Sequence, residues 1–200
     1  MNRGMDRTHE LQDVRQITPV MGRISSKVQE AVNVEVASRI RSHYPEGKKL
    51  KYQSPHRWTP NAACVNCYTG GNESVGYHSD QLTYLGPRAI IGSISLGVAR
   101  EFRVRRIVPQ DPDASASSST SSAHTKAKEE AGDTSGQISI RLPHNSLLIM
   151  HADMQEEWKH SIAPASAIDP HPISGNKRIN ITYRDYKACL HPKLTPKCKC

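Results

Sequence analysis

Three stretches of this chain carry side chains able to hold a metal ion or a small anion. The first is Gly76-Tyr77-His78-Ser79-Asp80, just after a glycine-containing turn. Residues i and i+2 on an extended segment project to the same side, so the His78 imidazole and the Asp80 carboxylate can meet at one metal ion. Trp158-Lys159-His160-Ser161, after an apolar run, offers a further imidazole. Two histidines and a carboxylate on one face suit iron and leave coordination positions open for other ligands. The plainer reading makes His78 and Asp80 polar loop residues. H-x-D recurs by chance, and with 10 histidines in the chain a third ligand is always at hand.

The second stretch is Arg178-Ile179-Asn180-Ile181-Thr182-Tyr183-Arg184. Alternation puts Arg178, Asn180, Thr182 and Arg184 on one face and Ile179, Ile181 and Tyr183 on the other. An inward guanidinium demands an anion, and arginine grips carboxylates through two parallel hydrogen bonds. A dicarboxylate would satisfy both ends of the strand. The alternative is an amphipathic edge strand whose polar face meets solvent. The third stretch is Asn66-Cys67-Tyr68, where an amide and a phenol share a strand face and could hydrogen-bond the same ligand, or simply line a half-exposed strand.

Such groups need a framework. Ser26 with Gln29 fits a capping box, and Val28, Ala31, Val32, Val36 and Ile40 recur at helical spacing, so a helix is expected from about residue 26 to Pro45-Glu46-Gly47. From Asn61 onward the period is that of strands: 61–69, 90–107 broken near Gly97, Ile138 to Leu142, Leu147 to Met150, and 178–184. Short strands separated by turns predict a mainly β (α+β) fold, a sandwich or jelly roll with a flanking N-terminal helix. Residues 109–136 are rich in Ser, Ala and Asp and lack the apolar content to offset their ordering entropy, so they read as a disordered insertion. The expected organisation is a poorly ordered segment 1–23, a domain 24–188 containing that insertion, and a basic Cys-containing tail 189–200.

Composition narrows the classes. The chain has 200 residues, 36% hydrophobic, with 27 Lys+Arg against 19 Asp+Glu and a net charge of +8. The insertion carries a net −3, so the remainder stands at +11. A basic body suits a nucleic-acid partner, and Arg100, Arg103, Arg105 and Arg106 suit a phosphate-bearing one, unless they form a solvated strand face. No apolar run approaches the ~20 residues of a membrane helix, and the start lacks a leader-like apolar stretch. No membrane partner is expected, and the five cysteines read as thiols or metal ligands before disulfides.

The ordered set Asn66-x-Tyr68, His78-x-Asp80, His160 and Arg178-x-Asn180-x-Thr182-x-Arg184 resembles the AlkB family of Fe(II)/2-oxoglutarate-dependent dioxygenases. Leu142-Pro143-His144-Asn145-Ser146-Leu147-Leu148-Ile149-Met150 with Trp158-x-His160-Ser161, and Ser93-Ile94-Ser95-Leu96-Gly97 with Arg100-x-Phe102, are similar to its nucleic-acid dealkylase branch. The resemblance implies a double-stranded β-helix, a jelly roll. It implies Fe(II) on His78, Asp80 and His160 and 2-oxoglutarate chelating that iron. Arg178, Asn180 and Tyr68 would hold the distal carboxylate, Arg184 and Asn66 would lie near the chelating end, and Thr182 would line the pocket. It further implies oxidative demethylation of a flipped alkylated base in DNA or RNA, with O2 consumed, as in DNA repair. The sequence departs from the family in three places. Gln81-Leu82 follow where a further carboxylate often stands, no nucleotide-recognition lid matches residues 1–25, and the insertion is long.

Cys64 and Cys67 could join Cys198 and Cys200 in a zinc site, but on a strand they face opposite sides, so core thiols are expected. Cys198-x-Cys200 is similar to the opening of a GRF-type zinc finger, which would place zinc there only in a longer chain. The enzyme reading competes with an oxygenase of the same fold acting on a protein or small molecule, and with a non-catalytic nucleic-acid-binding module. A monomer in the nucleus or cytoplasm is expected.

Overall fold

The computed structural model describes residues 16–43, 54, 56–107 and 136–190. It opens with helix α1 (Pro19–His43). The Thr18 hydroxyl accepts the Met21 N–H at 3.2 Å, and Pro19, which lacks a donor, occupies the first helical position. This Thr-Pro start, rather than Ser26, begins the helix. Ser26 lies within it and donates to the Gly22 carbonyl, so the boundary expected near residue 24 falls inside α1. The stop expected at Pro45-Glu46-Gly47 lies outside the described residues.

Val28, Val32 and Val36, spaced by four, form the buried stripe of α1. They pack on Trp58, Ile90, Ile181 and Tyr183. Gly92 allows this approach: a Cβ there would sit 3.0 Å from Val28 and 3.1 Å from Trp58. Asn33 ties Trp58 to α1, accepting its N–H at 3.0 Å and donating to its carbonyl at 2.9 Å.

The strands are β1 (Ala62–Thr69), β2 (Val75–His78), β3 (Ile91–Gly97), β4 (Arg100–Arg106), β5 (Gln137–Leu142), β6 (Ser146–Met150), β7 (Trp158–Ile162) and β8 (Lys177–Arg184). Short helices α2 (Leu82–Leu85) and α3 (Asp153–Glu156) and a 3-10 turn (Ala188–Leu190) join them. Two four-stranded sheets form, in the orders β1-β8-β3-β6 and β2-β7-β4-β5, with every pairing antiparallel. Between them lie Tyr68, Ile91, Phe102, Val104, Leu142, Met150 and Ile162, while α1 covers the outer face of the first sheet. This is the expected jelly roll with its flanking N-terminal helix.

Strand β8 is central, between β1 and β3, so both of its hydrogen-bonding edges are paired. Ile181 and Tyr183 meet α1, and Arg178, Asn180 and Thr182 are buried on the opposite, inner face. The edge-strand alternative is thereby removed. The expectation of core thiols is corrected: Cys64 and Cys67 are exposed, on β1 at the edge of its sheet. Their opposite facing holds, since Cys64 pairs with Thr182 and Cys67 with Ile179. Apart from Gly136, the insertion at 109–136 lies outside the described residues, as do Cys198 and Cys200.

Candidate active site

Every candidate residue converges on one cavity of about 110 Å³: Asn66, Tyr68, His78, Asp80, His160, Arg178, Asn180, Thr182 and Arg184 all line it. Strands β1 and β8 supply the first sheet's wall. The end of β2 faces β7 across the pairing of His78 with His160. The cavity has two chemically different ends.

At one end, ligand atoms of His78, Asp80 and His160 lie within 4.8 Å of one another. His78 Nδ1 sits 2.8 Å from the Gly76 carbonyl. A carbonyl can only accept, so Nδ1 carries the proton and Nε2 is free as a ligand. Nε2 stands 4.0 Å from Asp80 Oδ1. Arg184 grips the other oxygen, Oδ2, through Nε at 3.2 Å and Nη2 at 3.0 Å, which leaves Oδ1 free. The Asp80 N–H donates to Gln155 Oε1 at 2.8 Å, and the Ser79 hydroxyl donates to the Trp158 carbonyl at 2.9 Å. The H-x-D turn is thus stitched to α3 and β7. Partners of this kind orient a metal ligand.

His160 is packed between Phe102, stacked at 5.3 Å, and the His78 ring at 4.3 Å. Burial, the neighbouring His78 and the Arg184 charge push its pKa down to about 4, against the opposing pull of Asp80. It is neutral at physiological pH, the form a metal needs, and its Nδ1 is buried with no hydrogen-bond partner. The donor set, with the unprotonated Nε2 face of His78, the neutral His160 and the free carboxylate oxygen, fits Fe(II).

At the other end lies Arg178, only 1% exposed. Its Nη2 donates to Ser95 at 2.8 Å and to Asn180 Oδ1 at 3.1 Å, but Nε and Nη1 have no partner. Burial draws its pKa down, partly offset by Tyr68, whose ring lies 5.3 Å from the guanidinium. Asn180 also accepts from Ser93 at 2.8 Å and donates to Thr182 at 2.7 Å, so it braces Arg178. Two unpaired nitrogens, Nε and Nη1, on a buried cation fit a carboxylate, the distal group of 2-oxoglutarate. Arg184 is differently employed. Burial depresses its pKa, but Asp80 more than restores it, so it serves the metal end. Asn66 sits at the exposed rim of β1.

Sequence reasoning missed Ser93, Ser95 and Gln155, all buried braces of this site. The serines had a visible signal, two small polar residues alternating with Ile94 and Leu96; Gln155 had none. Arg100 is a correction. It is 3% exposed and donates to the carbonyls of Gly70, Gly71, Glu73 and Ala163, so it clamps loops and is unavailable to a phosphate.

The profile of the 2OG-Fe(II) oxygenase superfamily matches residues 3–184. The chain is 29% identical over 124 residues to the DNA oxidative demethylase ALKBH2 of Arabidopsis thaliana, covering 62% of this chain and 37% of that protein. It is 31% identical over 128 residues to the human alpha-ketoglutarate-dependent dioxygenase alkB homolog 3, covering 63% of this chain and 36% of that protein. It thus spans little more than a third of the length of these curated relatives. The solved structure of OsALKBH1 superposes with a TM-score of 0.52 at 17% identity, covering 82% of this chain and 63% of that one, a likeness of fold. With a profile match across nearly its whole length, a His-Asp-His cluster and an unpaired buried arginine in one jelly-roll cavity, this AlkB-like chain belongs to the 2OG-Fe(II) oxygenase superfamily.

Proposed function

We propose that this chain catalyses Fe(II)- and 2-oxoglutarate-dependent oxidative demethylation of alkylated bases in nucleic acid, as in DNA repair. The observation that carries the reading is the two-ended cavity, with His78, Asp80 and His160 at one end and the unpaired Nε and Nη1 of Arg178 at the other. In this reading the metal ligands are His78 through Nε2, Asp80 through Oδ1, and His160. Arg178 takes the distal carboxylate of 2-oxoglutarate, with Tyr68 beside it and Asn180 bracing it. Thr182 lines the pocket between the ends, and Asn66 and Arg184 flank the chelating end.

When bound, Fe(II) with 2-oxoglutarate and O2 supplies the oxidising power that hydroxylates an alkyl carbon on the base, after which an aldehyde leaves. The chain's own residues bind and orient. Arg184 holds Oδ2 and thereby aims Oδ1 at the metal. Phe102, Ile162 and Met150 keep the far wall apolar and limit water. The AlkB homologues whose names specify demethylation of DNA support the substrate class.

The test is conversion of 2-oxoglutarate to succinate with methylated single- and double-stranded DNA and RNA. Turnover raised by a methylated oligonucleotide and abolished by His78→Ala or Asp80→Ala is expected. No turnover with iron loaded defeats the enzyme reading. Turnover indifferent to every methylated nucleic acid keeps the oxygenase and moves the substrate to a protein or small molecule.

A further inference from the structure

The outer face of the sheet that carries His78 and His160 holds two cations with no acidic partner among the described residues. Arg105 and Lys159 are direct partners across β4 and β7, an arrangement of like charges that costs stability. The other arginines of β4 are engaged within the protein. Arg100 is spent on carbonyls, Arg103 is held by Glu101 at 2.6 Å, and Arg106 stands 3.8 Å from Glu157. Among the described residues neither Arg105 nor Lys159 has an acidic partner. Arg105 is nonetheless held in place, its guanidinium 4.1 Å from the centre of the Tyr77 ring. The Tyr77 hydroxyl donates in turn to Gln137. A fixed, unpaired cation facing another cation is arranged for an anion.

The position of the pair says which anion. Tyr77 and Lys159 immediately precede His78 and His160 on their strands, so the cations lie behind the wall whose inner face carries the cluster. The cavity reaches solvent at exposed Asn66 on β1 and at the His78 side chain, 42% exposed, on β2. Both are edge strands. From the β2 edge, β7 and β4 lie roughly 5 and 10 Å inward at ordinary strand spacing. A strand passing a base into the cavity at this edge can lay its neighbouring phosphates across that face.

We propose that Lys159 and Arg105 bind backbone phosphates of the single strand whose base enters the cavity, with Tyr77 pre-orienting Arg105. This rests on the nucleic-acid reading above. The experiment is fluorescence-anisotropy binding of an unmodified fluorescein-labelled oligothymidylate across a salt series. It compares wild type, Arg105→Gln/Lys159→Gln, Arg105→Lys and the control Arg103→Gln. Each single-strand phosphate contact contributes about −0.7 to the slope of log K against log salt. The double variant is expected to bind about 25-fold more weakly at 0.1 M salt, with a slope shallower by about 1.4. Arg105→Lys and Arg103→Gln are expected to bind within about 3-fold of wild type. A folded double variant, by circular dichroism, that binds the oligomer as wild type does overturns the phosphate assignment, even if methylated substrates are turned over. Absence of oligomer binding by wild type at every salt concentration removes the nucleic-acid substrate itself.

Discussion

Replacing Arg178 by methionine separates a ligand-binding arginine from a structural one. The guanidinium is 1% exposed, and its Nε and Nη1 have no partner within the protein. Without ligand, this cation therefore pays desolvation with little return. Methionine of similar length removes that cost, at the loss of hydrogen bonds to Ser95 and Asn180 worth roughly 1 kcal/mol each. Asn180 keeps its donor from Ser93. The ligand-free variant is expected to stay within about 2 kcal/mol of wild type in a urea titration. Binding behaves differently. Two charge-assisted hydrogen bonds of about 1.5–3 kcal/mol each amount to a loss of at least about 100-fold in affinity for 2-oxoglutarate. At about 100 times its Kd, 2-oxoglutarate stabilises wild type by roughly 2.7 kcal/mol; after a 100-fold loss the same concentration supplies roughly 0.4 kcal/mol. In a chain of 200 residues that is a melting shift of roughly 5–10 °C falling to about 1 °C. The assay is thermal unfolding with Mn(II) as a redox-silent stand-in, with and without 2-oxoglutarate. A variant that retains the full shift, or that unfolds without ligand, refutes the assignment.

Other predictions rest on single contacts. Gln155→Leu leaves the half-buried Asp80 N–H without its protein partner, so Mn(II) affinity by calorimetry is expected to fall about 10–100-fold. Asp80→Asn strands Arg184 without its carboxylate, and the urea midpoint should drop by the equivalent of about 3–5 kcal/mol. Gly92→Ala drives a methyl group against Val28 and Trp58 and should cost about 1–3 kcal/mol, read as a lower melting temperature. The pH dependence of the metal-free protein has a definite sign. His160 binds a proton near pH 6.5 when unfolded but only near 4 when folded, so the unfolded state holds more protons between these values and stability rises with pH across that window. Roughly 3 kcal/mol present above pH 6.5 is lost by pH 4, and His160→Asn should flatten that slope in urea titrations at a series of pH values.

Much of the site was legible because its signals are local. The i, i+2 spacing of His78 and Asp80 and the alternation of β8 depend only on an extended backbone, so they survive without knowledge of the partners. Boundaries were less legible. Ser26 and Gln29 imitate a helix start, while Thr18 and Pro19 supply the actual one, and both patterns are compatible with a short stretch of sequence. Cys64 and Cys67 look like core residues on a β-rich segment, but the exposure of a strand depends on its place in the sheet.

By itself the sequence determined the chemical types, their order along the chain and which side chains share a strand face, since these follow from covalent order and backbone period. Tertiary structure decided which face of β8 points inward, because only the placement of α1 on the opposite face leaves Arg178 buried and unpaired. It decided that Arg100 clamps loop carbonyls while Arg105 stacks on Tyr77 with no acidic partner among the described residues, although both are arginines on β4. What distinguishes them is the set of carbonyls, carboxylates and rings brought near by distant segments, and no spacing along the chain encodes those neighbours.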